Sequence, residues 1–271
     1  MDYKIYTPSI DLLPFIKCYW TLLAPEESEP QKQRIVPDGC MEMVFHCGDL
    51  YKQYLQDGSC LIQPRSFVFG QITKPLDIEP TGETNIFSVR FQPDGFIAFA
   101  TIPVSQMENR AVSLNELFGE TGTTLEKDIL QATTTEDRIA LIESFLWQIL
   151  STPESINKLI KSSIEMIIHL GGQVSVDELS DNLQINRRQL ERKFSSVIGL
   201  SPKQLAKIIR LQQALKMLSA QNSESLTAIA YEGNYYDQAH FIKDFKAFTG
   251  VSPKKFYANN LRMSALFIDK E

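Results

Sequence analysis

Twelve residues near the C-terminus, FKAFTGVSPKKF at 245–256, restate FSSVIGLSPKQL at 194–205. Phe245 aligns with Phe194, Gly250 with Gly199, Ser252-Pro253-Lys254 with Ser201-Pro202-Lys203, and Phe256 with Leu205, all at an offset of 51 without gaps. A chain that spells one object twice is expected to fold it twice. The C-terminal part therefore has to be built from two copies of one small unit.

Periodicity says what the unit is. SVDE at 175–178 is a Ser-x-x-Glu capping box opening a short helix, VDELSDNL. Asn186 stands where it can cap a second helix over 187–198, which ends at Gly199. SLTAIAYEGN repeats the first helix, and 237–248 repeats the second. Each copy reads helix, tight turn, helix and a Gly-x-Ser-Pro exit, the pattern of a helix-turn-helix. The units span about 175–199 and 225–250. A linker helix over about 202–219 carries Leu205, Ile208, Leu211, Leu215 and Leu218 at three- or four-residue steps. At 1.5 Å per residue it spans about 26 Å. That length suits two recognition helices set about one DNA turn, roughly 34 Å, apart.

The wheel of each second helix assigns its faces. Leu190, Phe194 and Val197 share one arc, with Arg188, Arg192 and Ser195 opposite and Gln189 and Glu191 on the flanks. In the second copy Phe241, Phe245 and Phe248 point inward; Ala239, Lys243 and Lys246 point outward, flanked by His240 and Ile242. Lys243 is the positional twin of Arg192. Arg donates two bonds to guanine, Gln pairs with adenine, and a small Ala admits a thymine methyl. Arg188, Gln189, Glu191, Arg192, Ala239, His240 and Lys243 are therefore candidate base readers. Arg187, Ser195, Lys203, Lys246, Lys254 and Lys255 are candidate phosphate contacts.

Charge supports this division. Residues 1–155 hold 11 Lys+Arg against 22 Asp+Glu, a net of −11, and residues 156–271 hold 16 against 11, a net of +5. The C-terminal part is the better partner for phosphate. The boundary is expected where Ser151-Thr152-Pro153 interrupts a helical stripe of Ile139, Ile142, Leu146, Ile149 and Leu150. This gives domains at 1–152 and 153–271.

The first hundred residues read as strands and turns. In CMEMVFH, Met41, Met43 and Phe45 oppose Glu42, Val44 and His46. In NIFSVRFQ, Phe87, Val89 and Phe91 oppose Ser88 and Arg90. Both are the period-2 pattern of a half-buried strand. SCLIQP and SFVFGQI are shorter strand candidates, and Pro-Asp-Gly at 37–39 and 93–95 suits tight turns. SLNE at 113–116 is a further capping box. An antiparallel barrel or sandwich with trailing helices follows.

RLQQALKML in the linker helix, followed by IAYEGNYYDQAHFIKDFKAFTGVSPKKF, resembles the AraC/XylS family of bacterial transcription regulators over about 175–257. That family usually has Gly where this chain has Asn234, and Asn is the next residue best able to hold a left-handed conformation. The resemblance implies double-stranded promoter DNA as partner, and it adds Gln238 to the base readers. YTPSIDLLPFIKCYW and RIVPDGCMEMVFH resemble the sensor segments of some such regulators. They imply a cupin-like β-barrel that senses a small-molecule effector or forms a homodimer, and they name no ligand. RNA polymerase is a further partner of such a regulator.

Other chemistry finds little support. Three His in the chain, only His46 of them in the β region, do not supply the several His that converge on a cupin metal. Cys40, His46 and Cys47 lack close-pair spacing. No catalytic set, metal or cofactor is expected. Four Cys suggest reduced thiols in a cytoplasmic protein, and no apolar run is long enough to cross a membrane. Tyr19, Trp20 and the Phe residues would line a pocket or fill the barrel, with Arg65 and Arg90 as its polar anchors or as exposed ion pairs. The alternative is an N-terminal small-molecule enzyme, or a pure oligomerisation module, with the helical region as a tether.

Overall fold

The computed structural model describes residues 1–151, 158–219, 226–233, 235 and 237–258. Ten strands come first: β1 Asp2–Tyr6, β2 Ile16–Ala24, β3 Gln33–Ile35, β4 Glu42–His46, β5 Tyr51–Tyr54, β6 Cys60–Ile62, β7 Ser66–Phe69, β8 Leu76–Pro80, β9 Thr84–Phe91 and β10 Ala111–Ser113. Nine helices follow among the described residues: α1 Leu114–Gln131, α2 Thr135–Ile149, α3 Lys158–His169, α4 Val176–Asn182, α5 Arg187–Ile198, α6 Pro202–Ser219, α7 Leu226–Glu232, α8 Gln238–Thr249 and α9 Pro253–Ala258. This is the expected order of a β-rich part with trailing helices and then an all-helical part. The 152/153 boundary and Asn234 lie outside the described residues.

The strands form two antiparallel sheets, ordered β1-β2-β9-β4-β7-β10 and β3-β8-β5-β6, rather than one closed barrel. In the larger sheet Met43 stands opposite Val89 and Phe45 opposite Phe87. These residues, with Met41 and Phe91, form a core that α1 and α2 close with Leu117, Leu125, Ile142 and Leu146. The opposite face corrects the half-buried reading of β4 and β9. It meets the smaller sheet instead of solvent, and Val44, Phe67, Ile78 and Ile86 pack a second core between the two. Ser88 and Arg90 on this face are fully buried, Arg90 to 1% exposure. Of the two Pro-Asp-Gly turns, Gly39 takes φ +83° as expected. Gly95 stands at φ −71° and heads a 3-10 turn over Phe96–Ala98.

The helical part is two units sharing one rod. Leu179, Leu190, Phe194 and Ile198 pack on Leu205 and Ile208, from the first half of α6. Ile229, Phe241, Phe245 and Phe256 pack on Leu211 and Leu215, from its second half. Ile198 and Thr249, at the ends of α5 and α8, take the deepest positions, and Val197 and Phe248 beside them are only half-buried. Both second helices stop the same way, with Gly199 and Gly250 left-handed at φ +81° and +75°.

Candidate nucleic-acid interface

Local chemistry sets the start of α5 and of α8. Asn186 accepts from the backbone N–H of Arg188 at 2.9 Å, and Asp237 accepts from that of His240 at 2.7 Å. The buried stripes then leave the predicted outward residues in solvent. Arg188, Gln189 and Arg192 are exposed and, with Asn186, line a shallow surface depression. Ala239, His240, Lys243 and Lys246 are exposed on α8, and Lys203, Lys254 and Lys255 at the starts of α6 and α9.

Three predicted contacts are engaged within the protein. Arg187 donates to Glu191 at 3.2 Å and to both oxygens of Asp177 on α4, at 2.9 and 3.2 Å. Glu191, and after it Asp177, raise the Arg187 pKa. Glu191 is half-buried, as is Ser195. Gln238 is half-buried, and its Oε1 accepts from Thr227 on α7 at 3.1 Å. On the second copy the exposed outward set is therefore Ala239, His240 and Lys243.

One residue at this interface is missing from the sequence reading. Asp244 lies on the inner side of α8, is buried, and accepts from Lys207 of α6 at 3.0 Å. His240 Nε2 lies 3.7 Å from its other oxygen and packs edge-on against Tyr235. Asp244 thus ties a base-reading candidate to the linker rod. The available signal was a carboxylate between Phe241 and Phe245 on an otherwise apolar stripe, since an acid placed inward requires a cation.

The pocket candidates divide between two places. Tyr19 belongs to the helix-covered core; its hydroxyl donates to Glu143 of α2 at 3.0 Å, and burial pushes its pKa well up. Trp20 lines a cavity of about 70 Å³ between the sheets. Neither arginine is an exposed ion pair. Arg65 donates to the carbonyls of His46 and Gly48. Arg90 reaches Asp38 through Nη2, and its Nη1 lies 3.5 Å from Glu42, which the register sets opposite it.

The segment from Arg34 to Cys40 connects this cavity to the helical units. Ile35, Asp38 and Cys40 line the cavity. Their neighbours face the other way. Arg34 donates to the Thr249 carbonyl at 3.0 Å, and Val36 packs in the core of the second unit. The Pro37 carbonyl accepts from Gln212 of α6 at 2.6 Å. A Cβ added at Gly39 would stand 2.8 Å from Leu205. At the repeat-equivalent corners, a Cβ on Gly199 would lie 3.2 Å from the Val104 carbonyl, and one on Gly250 2.9 Å from Arg34.

Comparison with known proteins adds the following. Residues 179–259 match the family described as a helix-turn-helix domain, and residues 4–113 match a domain of unknown function, DUF6597. An uncharacterized HTH-type transcriptional regulator of Haemophilus influenzae is 35% identical over 81 residues, covering 30% of this chain and 27% of that protein. The HTH-type transcriptional regulator ArgR of Pseudomonas aeruginosa is 30% identical over 98 residues, covering 36% and 30%. The matched region thus spans less than a third of the length of these two relatives. ToxT of Vibrio cholerae shares the fold over 88% of this chain and 97% of its own, with a TM-score of 0.50 at 11% identity. Among the described residues no helix is long and apolar enough to cross a membrane, and no cluster of metal-ligating side chains occurs.

Proposed function

We propose that this chain is a transcription regulator of the AraC/XylS type, which binds promoter DNA sequence-specifically and controls transcription; its helix-turn-helix match and its regulator relatives support the reading. The observation that carries the reading is the pair of solvent-facing surfaces at the two ends of one rod. Arg188, Gln189 and Arg192 lie on α5, and Ala239, His240 and Lys243 on α8. Each set joins a cation to small or amide groups suited to base edges. Lys203, Lys246, Lys254 and Lys255 supply phosphate contacts around them. Residues 1–152 form the sensory or dimerising domain and residues 153–271 the DNA-binding domain. The protein works in the cytoplasm without a cofactor, as a regulator and not an enzyme. RNA polymerase and a second copy of the chain are its further partners.

Genome-wide mapping of bound sites, followed by binding to the recovered promoter fragments across a salt series, tests this. Arg192→Ala and Lys243→Ala should each weaken specific binding by about 1–3 kcal/mol and relax the preference at one base position. Unchanged operator affinity in both variants removes the assignment of these helices.

A further inference from the structure

An open sheet ends in strands whose outer N–H and C=O groups can pair with another chain. The two sheets have four such edges, β1 and β10 in the larger, β3 and β6 in the smaller. Three of them are blunted. β10 has three residues and runs directly into α1. β3 has three and leads into the Arg34–Cys40 segment that packs on the helices. β6 has three, and Pro64, which cannot donate to a ladder, stands two residues beyond its end.

The fourth edge is built differently. β1 has five residues without proline, and it pairs with β2 in unbroken register, from Asp2 opposite Leu23 to Tyr6 opposite Tyr19. Among the described residues β2 is its only strand neighbour. Tyr3 anchors the strand. It is 9% exposed and packs in the core between the sheets, its ring 5.8 Å from that of Trp20. Alternation turns Asp2 and Lys4 to the other face. Their side chains are more than half exposed and pair with each other at 3.1 Å. Met1 and Ile5, beside Tyr3 in the alternation, are exposed aliphatic residues.

A lysine on an edge strand ordinarily repels a second copy. Asp2 reverses this at one register. When two identical strands pair antiparallel about a two-fold axis, the residue on the axis faces itself and its neighbours face each other crosswise. An axis at Asp2 sets carboxylate against carboxylate, and one at Lys4 sets ammonium against ammonium. An axis at Tyr3 sets Asp2 of each protomer opposite Lys4 of its partner, and Met1 opposite Ile5. Side chains directly opposite lie about 4.5–5.5 Å apart. The two ion pairs already present then close into a square of alternating charge.

We propose that β1 is a homodimerisation edge, where two copies of the chain pair antiparallel about Tyr3 and their larger sheets run on as one. Charge complementarity names the occupant, because the strand fits its own copy at this register. The contact is isologous and closes on itself, so it stops at two protomers. One strand pair is a small interface, so the dimer forms reversibly, and salt weakens it by screening the charges. The proposal gives a surface to the second copy named above; its bearing on DNA rests on the regulator reading, and the pairing itself does not.

Sedimentation equilibrium of the full chain tests it. The wild type should dimerise reversibly. Asp2→Lys sets lysine against lysine and Lys4→Asp sets aspartate against aspartate, so each variant alone should dimerise about tenfold more weakly. An equimolar mixture of the two should recover the wild-type constant, since every cross-strand pair is again of opposite charge. The double variant should recover it alone. Recovery also shows that the single variants fold. A wild type that stays monomeric overturns the proposal, as does a dimer whose constant neither single variant changes. Losses in both single variants without recovery in the mixture overturn the pairing about Tyr3. Operator binding is read on the same preparations. A dimer with this charge pattern but no specific DNA binding leaves the edge standing and removes the regulator. Specific DNA binding that is equal in wild type and single variants removes the role of this dimer in it.

Discussion

Asp244 shows how much one misplaced charge can hold. It is buried on α8 and meets Lys207 of α6 at 3.0 Å, with the Lys207 side chain 28% exposed. Asp244→Ala leaves a half-buried ammonium without its partner. Urea unfolding should therefore show a loss of about 1–3 kcal/mol, smaller than for a fully buried pair because solvent reaches Lys207. Asp244→Asn, which keeps one acceptor, should lose less. His46 gives a pH-dependent prediction. Burial lowers its folded pKa to about 4, below its ordinary 6.5, so the unfolded chain takes up the proton first. The penalty is absent above pH 6.5, grows by roughly 1.4 kcal/mol per unit as pH falls, and levels off below about 4. Thermal melts across that window should be flatter in His46→Leu than in the wild type. Both residues were partly legible. The alternation placed His46 opposite Phe45, on the face that became the cavity wall. Asp244 escaped because the wheel ranks residues by hydrophobicity and has no place for a carboxylate whose partner lies 37 residues away.

At the scale of elements, the sequence speaks most clearly where bonding is local. Ser175 and Glu178 form the full capping box, with N···O distances of 2.7 and 3.1 Å. Asn186 starts α5 and Gly199 ends it at the residues read from the pattern. Asn186→Ala removes the acceptor for the Arg188 N–H and should cost about 0.5–2 kcal/mol of stability, read by chemical denaturation. The same change frees the turn that carries Arg188 and Gln189, so operator affinity should fall with it even though Asn186 itself reads no base. Sheets were less legible. The alternation of β4 and β9 was visible, but period 2 says only that two faces differ. Whether the polar face meets water or a second sheet depends on strands far along the chain, and the same ignorance kept the closed barrel alive as an expectation. The shift of depth from Val197 to Ile198 and from Phe248 to Thr249 belongs here too. Helix ends are buried by what docks on them, and a wheel drawn on one helix omits the neighbours.

At the scale of the molecule, charge asymmetry and the repeat were enough to separate a β-rich part from a helical part. They said nothing of how the two touch. Part of that contact is made by the seven residues from Arg34 to Cys40, which face the cavity on one side and the helices on the other, and part by the turn at Val104–Met107 against α5. Arg34 is held in place by Asp77, with two bonds of 2.6 Å. Arg34→Ala should therefore loosen the corner after α8. Hydrogen exchange at residues 249–251 should rise about tenfold, equal to 1.4 kcal/mol of local opening, with the protection of α5 unchanged. Protection lost equally in both units would mean that the N-terminal part acts on the whole helical array at once.

The two glycine corners are the same word in the duplicated text, and the β-rich part touches both, at Val104 and at Arg34. It therefore works like a calliper closed on two matching notches. If the two helical units move relative to one another, these two contacts are expected to limit the gap between them. A regulator built this way would choose among operators by the distance between their half-sites, with the letters inside each half-site left unchanged.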